Sequence, residues 1–296
     1  MRLRPKLWTP RLLREERGGL WVPPPGFTQH GTNLTTPVSG QLGTLVTASG
    51  TAHTKGSYSE LVASLGFDVF EIDFVFSNVG APTVVTSMLV DIAVGAAGSE
   101  TNIIPNLIAG GAEVVSADVI GGQRYRFPLY IASGSRLSAR CQAAVVSDTV
   151  RVAVWYRGAP RNPGVWAGSR VSAYGIDTGT SLGTSVAAGL SAAEGTFTQI
   201  TASTSEAHDH LVAGVGLNGD STTQGSLNFL DLGVGAATED VVVENMPFVS
   251  TGQEAMLMGS FVSCWVPVAS GTRIAARISS NQSTAQSYDV GVWGVS

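Results

Sequence analysis

His208-Asp209-His210 places two imidazoles two residues apart, and on an extended chain such side chains point the same way. Two histidines so placed can ligate a transition metal. The matching stretch of the internal repeat described below has no histidine, and no third ligand accompanies the pair, so no metal centre is expected. Asp68, Glu71 and Asp73 are close in sequence. Glycoside hydrolysis needs two carboxyls in differing environments at a cleft. Glu71 and Asp73 instead fall on one face of a strand expected to be solvated. No phosphate-binding loop and no GxGxxG ahead of a helix is present, and no nucleophilic serine is expected. Gly-Gly at 110–111 and 121–122 mark turns. Cys141 and Cys264 form no CxxC pair, zinc spacing or disulfide framework, and read as small buried hydrophobes. The expectation is a chain with no catalytic residue, no metal and no cofactor.

The ionisable residues that do recur are acids and arginines. Met88, Val90, Ile92 and Val94 share one strand face, and Asp91 lies on the other. Leu230, Leu232 and Val234 stand in the same relation to Asp231. Arg136 and Arg140 point away from Leu137 and Ala139, as Arg273 and Arg277 point away from Ile274 and Ala276. Two chemistries fit. One is a cross-strand Asp–Arg pair that fixes sheet register or supports a subunit contact. The other is an anion or sugar site.

These residues recur because the chain is internally repeated. DIAVGAAGSETNIIPNL (91–107) matches DLGVGAATEDVVVENM (231–246), with Glu100 and Glu239 after the shared Gly-Ala-Ala. KGSYSELVAS (55–64) matches EGTFTQITAS (194–203), IASGSRLSAR (131–140) matches VASGTRIAAR (268–277), and VRVAVW (150–155) matches YDVGVW (288–293). The four blocks keep their order at offsets of 137 to 140 residues, which excludes coincidence. A catalytic domain followed by an unlike substrate domain is thereby excluded.

Each unit reads as strands. Residues 69–76, 84–94, 125–131, 136–143 and 149–156 are alternating or β-branched runs bounded by Gly, Ser, Pro and Asn. Seven or eight short strands in about 115 residues, with almost no helical periodicity, indicate an antiparallel sandwich. The fold class expected is all-β: two tandem duplicated jelly-roll-like sandwiches preceded by an extended N-terminal arm with one short helix. The divisions are an arm at 1–39, a first sandwich at 40–160, a linker at 161–180 and a second sandwich at 181–296. In the arm, Thr9 can cap a helix, Pro10 suits its first position and Gly18-Gly19 stop it.

Composition narrows the function. Of 296 residues 44% are hydrophobic and only 13% charged, about half the ~25% usual in soluble chains. That excludes a coiled coil and a charge-driven disordered chain. Every apolar run is interrupted well short of the ~20 residues a membrane helix needs, and no secretory leader is evident, since Pro5 and Pro10 break the N-terminus. The net charge is −5, but residues 1–20 carry six cations against Glu15 and Glu16, or +4, which leaves −9 for the rest. Arg4, Arg11 and Arg14 with Trp8 and Trp21 read as a partner-binding arm. Leu7-Trp8-Thr9-Pro10 and Leu20-Trp21-Val22-Pro23 echo each other, and Pro23-Pro24-Pro25 favours an extended peptide. Trp8, Trp21 and Trp166 fit anchors in another chain's surface, whereas Trp155 and Trp293 close the two units.

A basic arm followed by tandem low-charge sandwiches resembles a virion structural protein of a tailed bacteriophage. VDIAVGAAGSETNIIPNLIAGG (90–111) is similar to segments of phage tail-fibre and related appendage proteins. The resemblance implies assembly on a particle, in the virion, and supplies no catalytic motif. The expected function is a non-enzymatic structural part, a tail fibre or a tail or collar appendage anchored by its arm. The alternatives are a capsid (head) decoration protein and a carbohydrate-binding, lectin-like module. Expected partners are other virion proteins, further copies of the chain (a homo-oligomer, with a trimer favoured) and a host-surface glycan, with no membrane insertion. Trp265, Tyr288 and Tyr130 are the aromatics a glycan would use.

Overall fold

The computed structural model describes residues 27–30, 43–77, 87–110, 123–158, 167–217, 226–235, 238–250, 256–257 and 263–296. The helix expected between Thr9 and Gly19 lies outside the described residues, as do Arg4, Trp8, Arg11, Arg14, Trp21 and Trp166. Every regular element among the described residues is a strand. No helix among them is long and apolar enough to cross a membrane.

In chain order the strands of the first half are β1 (Phe27–His30), β2 (Thr44–Thr47), β3 (Ser59–Val62), β4 (Val69–Ser77), β5 (Ser87–Val94), β6 (Thr101–Gly110), β7 (Arg124–Phe127), β8 (Leu137–Ala143) and β9 (Thr149–Gly158). They form a five-stranded sheet, β1-β9-β4-β7 with β2 also on β9, and a four-stranded sheet, β3-β8-β5-β6. Alternation decides what faces the core. Ile72, Phe74 and Phe76 of β4 and Val150, Val152 and Val154 of β9 point inward from one sheet. Met88, Val90 and Ile92 of β5 and Leu137, Ala139 and Cys141 of β8 point inward from the other. All of these are buried in one apolar cluster, and full burial of each large member contributes roughly 1.5–3 kcal/mol.

The second half comprises β10 (Val171–Tyr174), β11 (Ile176–Asp177), β12 (Leu182–Gly189), β13 (Thr198–Thr201), β14 (His208–Leu217), β15 (Ser226–Val234), β16 (Asp240–Ser250), β17 (Met256–Leu257), β18 (Ser263–Val268), β19 (Ile274–Ser280) and β20 (Ser287–Val295). β5 pairs with β6 and β8, and β15 pairs with β16 and β19. β9 pairs with β1, β2 and β4, and β20 with β10, β12 and β14. The long β12 differs from short β2. It runs antiparallel to β20 and then parallel to β19, which joins both layers into one eleven-stranded, nearly closed sheet. The stretch 161–180, read from the sequence as a linker, contains β10 and β11, and Val171 and Tyr174 of β10 are buried.

The halves pack closely. Trp293 Nε1 donates to the Pro105 carbonyl at 2.8 Å, and Gln123 Nε2 to that of Val215 at 2.7 Å. Glycine makes the approach possible. A Cβ at Gly216 would come within 2.7 Å of Ile108 Cγ2, and one at Gly214 would collide with the Tyr125 hydroxyl and ring.

Candidate functional site: paired carboxylates and arginines on the sheet faces

β5 presents Asp91 on the outer face of its sheet, directly opposite Arg140 of β8. Arg140 Nε donates to Asp91 Oδ2 at 2.9 Å, and Lys55 Nζ to Oδ1 at 2.8 Å. Asn102 Nδ2 donates to Oδ2 at 3.2 Å and the Asn106 amide to Oδ1 at 2.9 Å. The β5–β6 ladder shifts register opposite Asp91, and there Asn106 turns into the left-handed region with φ 54°. Asparagine tolerates that region better than most residues. The Arg140 guanidinium lies 4.6 Å from the centroid of the Tyr58 ring. Burial pushes the Asp91 carboxyl up, but the Lys55 charge and hydrogen bond, the Asn106 amide and Arg140 outweigh it, so the group titrates below the ordinary range. Burial draws Lys55 down by more than Asp91 raises it.

The second half builds the same frame with one charge reversed. Asp231 lies opposite Arg277, whose Nε and Nη2 donate to its Oδ2 at 2.9 and 2.7 Å. The ladder again shifts register, and Asn245, also at φ 54°, donates its amide to Asp231 Oδ1 at 2.7 Å. Phe197 takes the place of Tyr58 beneath Arg277. Glu194 takes the place of Lys55 and sits 3.2 Å from Arg277 Nε. Lys55, Arg140 and Asp91 therefore sum to +1, and Glu194, Arg277 and Asp231 to −1.

Arg136 and Arg273 do not reach these carboxylates. Arg136 bonds Glu60 and Glu100 at 2.9 and 3.0 Å, tying β8 to β3 and to the turn before β6. Arg273 pairs with Glu239 and with Gln199 Oε1 at 3.1 Å. Gly95 and Gly235 (φ 125° and 127°) shape the matching turns and donate their amides to the Arg136 and Arg273 carbonyls.

Chemically these clusters hold charge in place. Asp91 is ionised, engaged by two cations and reached by an amide, whereas a general acid must keep a proton near neutral pH. Sequence reasoning missed Lys55, Glu194, Asn102 and Asn106. A signal was available, because one of only two lysines stands in a repeated block opposite a glutamate.

The other candidates are placed as follows. Asp73 is buried, not solvated as expected, because β4 is internal to its sheet, and Arg124 and Arg126 hold it at 2.5 and 2.8 Å. His208 Nε2 bonds the Tyr174 hydroxyl at 2.7 Å, and His210 stands edge-on to Trp265. Among the described residues no group of three His, Cys, Asp or Glu could hold a metal. Gly179-Thr180-Ser181-Leu182-Gly183 has the spacing of a hydrolase nucleophile elbow, a match that sequence reasoning overlooked. Such an elbow joins a strand to a helix. Here the turn joins β11 to β12, and the Ser181 hydroxyl is buried between His53 Nδ1 (3.0 Å) and Gln142 Nε2 (2.9 Å). Ser181 thus ties the halves together. Cys141 is buried, which pushes its thiol up to about 12, while Cys264 is half-buried. Trp265 is 60% exposed and Tyr130 is also exposed, but Tyr288 is fully buried and cannot meet a glycan.

No family model matches this chain, and no curated protein matches it significantly in sequence. Among solved structures, PNGF-II in two crystal forms superposes with a TM-score of 0.33 in each case, at 8% and 9% identity. The alignments cover 80% and 84% of this chain and 59% and 61% of those chains, so the chain spans less than two thirds of their length. The major capsid protein P2 from bacteriophage PM2 superposes with a TM-score of 0.29 and 6% identity, over 86% of this chain and 97% of that one. At such scores none of these neighbours shows a shared family or activity.

Proposed function

We propose that this chain is a non-enzymatic structural component of a tailed-phage virion, a tail fibre or a tail or collar appendage. In this reading it is a tandem duplication of one jelly-roll-like unit, assembled as a homo-oligomer, with a trimer favoured. Residues 1–39 anchor it to other virion proteins, and no membrane is entered. The observation that carries the reading is the fate of the repeated acids. Asp91 and Asp231 are held in matching cross-strand frames by arginine and a backbone amide. Duplication has preserved a device for fixing sheet register, not a constellation for turnover.

A lectin-like module is favoured by one observation, the exposed Trp265 ring beside His210. Capsid decoration shares the structural reading and differs in where the arm docks.

Deleting residues 1–25 tests the anchoring. The truncated chain is expected to fold and to be missing from purified phage particles assembled with it. Normal incorporation of the truncated chain contradicts the role given to Arg4, Trp8, Arg11, Arg14 and Trp21. Loss of incorporation with a glycan-array signal abolished by Trp265→Ala would add the lectin-like role.

A further inference from the structure

The two halves of the chain meet through unlike faces. The first half contributes the outer face of β5, β6 and β8, with Leu89, Ile108 and Gln142. Leu89 and Ile108 are buried to 0% and 1% exposure. Gln142 Nε2 donates to the Thr178 carbonyl at 2.7 Å and to the Ser181 hydroxyl at 2.9 Å. The second half contributes the outer face of β12, β14 and β20. There Ile108 fills the space above Gly183, Gly216 and Gly291, and Trp293 meets the Tyr125 ring edge-on at 5.3 Å.

The pairing registers identify the counterparts of both faces. Leu89 lies between Gln142 and Ile108, as Phe229 lies between Ser279 and Pro247. Phe229 is only half-buried and Pro247 is exposed. Beside them on the same face, Leu227 and Val249 are directly opposed and are 43% and 37% exposed. Trp293 lies opposite Val212, as Trp155 lies opposite Asp73. Trp155 is half-buried where Trp293 is fully buried. Each half therefore presents the counterpart of the face that the other half uses within the chain.

We propose that the outer face of β15, β16 and β19 of one copy docks on the outer face of β4, β7 and β9 of a second copy of this chain. The contact repeats between copies the packing that joins the halves within one copy. Charge favours the match. Arg124, Arg126, Arg151 and Arg157 against Glu71 and Asp73 give the acceptor face +2. Arg273 and Arg277 against Glu194, Asp231 and Glu239 give the docking face −1. Leu227 and Val249 supply the apolar contact, and burying them removes a pair of facing aliphatic side chains from water. Because the two surfaces differ, the contact is heterologous and generates a ring or an open filament, not a two-fold dimer. The inference rests on the multimeric reading of the preceding section and names the surface that makes the multimer.

The test measures the solution mass of the full chain and its variants by sedimentation. Leu227→Arg with Val249→Arg blocks one face, and Trp155→Glu blocks the other. The wild type is expected to be a multimer, and each variant is expected to fall to the 30.6 kDa of one chain with an unchanged circular dichroism spectrum. Mixing the two variants restores one functional contact and is expected to give a dimer only. A wild-type monomer at all concentrations, or variants that keep the wild-type mass, overturns the proposal. Should Trp155→Glu misfold, Trp155→Ala serves as the second blocked face, and a mixture of two folded variants that stays monomeric overturns the head-to-tail arrangement. None of these outcomes alters whether the chain is found in particles, so failure of this interface and failure of the virion reading are read separately.

Discussion

The carboxylates of Asp91 and Asp231, buried on their sheet faces, are held by partners, and the two halves supply different ones. Asp91 has Lys55 as well as Arg140, whereas Asp231 has Arg277, which it shares with another acid, Glu194. Removing the arginine therefore has unequal consequences. Arg277→Ala leaves Asp231 buried beside Glu194 without a cation among the described pairs, and should cost about 3–5 kcal/mol. Arg140→Ala leaves Lys55 in place and should cost about 2 kcal/mol. Urea melts of the two variants decide it, and equal losses would mean that Lys55 contributes nothing. Asp289 is a different case. It is buried opposite Gly216 at the junction of the halves, with no cation paired to it and no close hydrogen bond to either oxygen among the described residues, the Gly183 amide being its nearest donor. Burial pushes its carboxyl up to about 7, only partly offset by the Gly183 amide. The folded value lies above the unfolded one, so its contribution is complete below about pH 3.8 and is lost as pH rises to about 7. The loss is on the order of 4 kcal/mol at 1.36 kcal/mol per unit. Asp289→Asn should gain on the wild type across that window and run parallel to it above. A constant difference from acid to neutral pH contradicts this placement.

Among the elements, the strands were legible because alternation is written locally. Met88, Val90 and Ile92 against Asp91 fix the faces of β5 without any tertiary knowledge. The stretch around Asp73 misled, since alternation gives the face but not what covers it, and Arg124 and Arg126 arrive from 51 and 53 residues away. The packing of the halves was also hidden. Nothing local marks Gly214, Gly216 and Gly291 as contact points, and only the fold shows Ile108 and Tyr125 filling the space they leave. Ser181 and Lys55 each carried a signal in the sequence, but their partners were hidden for a similar reason, since those come from elsewhere in the chain. The packing itself is testable at Gly214. A valine there must displace the Tyr125 ring and Trp293, and overpacking of this kind costs about 1–3 kcal/mol. Gly214→Val should lower the melting temperature and shift the Trp293 emission to the red as its hydrogen bond to Pro105 opens. An unchanged spectrum would show that the halves do not rely on this contact.

Among the described residues the whole molecule is a pair of like-paired sheet systems that share a glycine-lined contact and turn their repeated charges into cross-strand ties within each half. Its low charge and unlike outer faces suit repeated contact with other chains. The central claim is that the chain is a built-in part of a phage particle, and quantitative mass spectrometry of gradient-purified particles, washed in high salt, tests it most directly. The account predicts the chain in a fixed multiple-copy ratio to the other virion proteins. Its absence from washed particles, with the protein recovered only free in the lysate, would contradict the account.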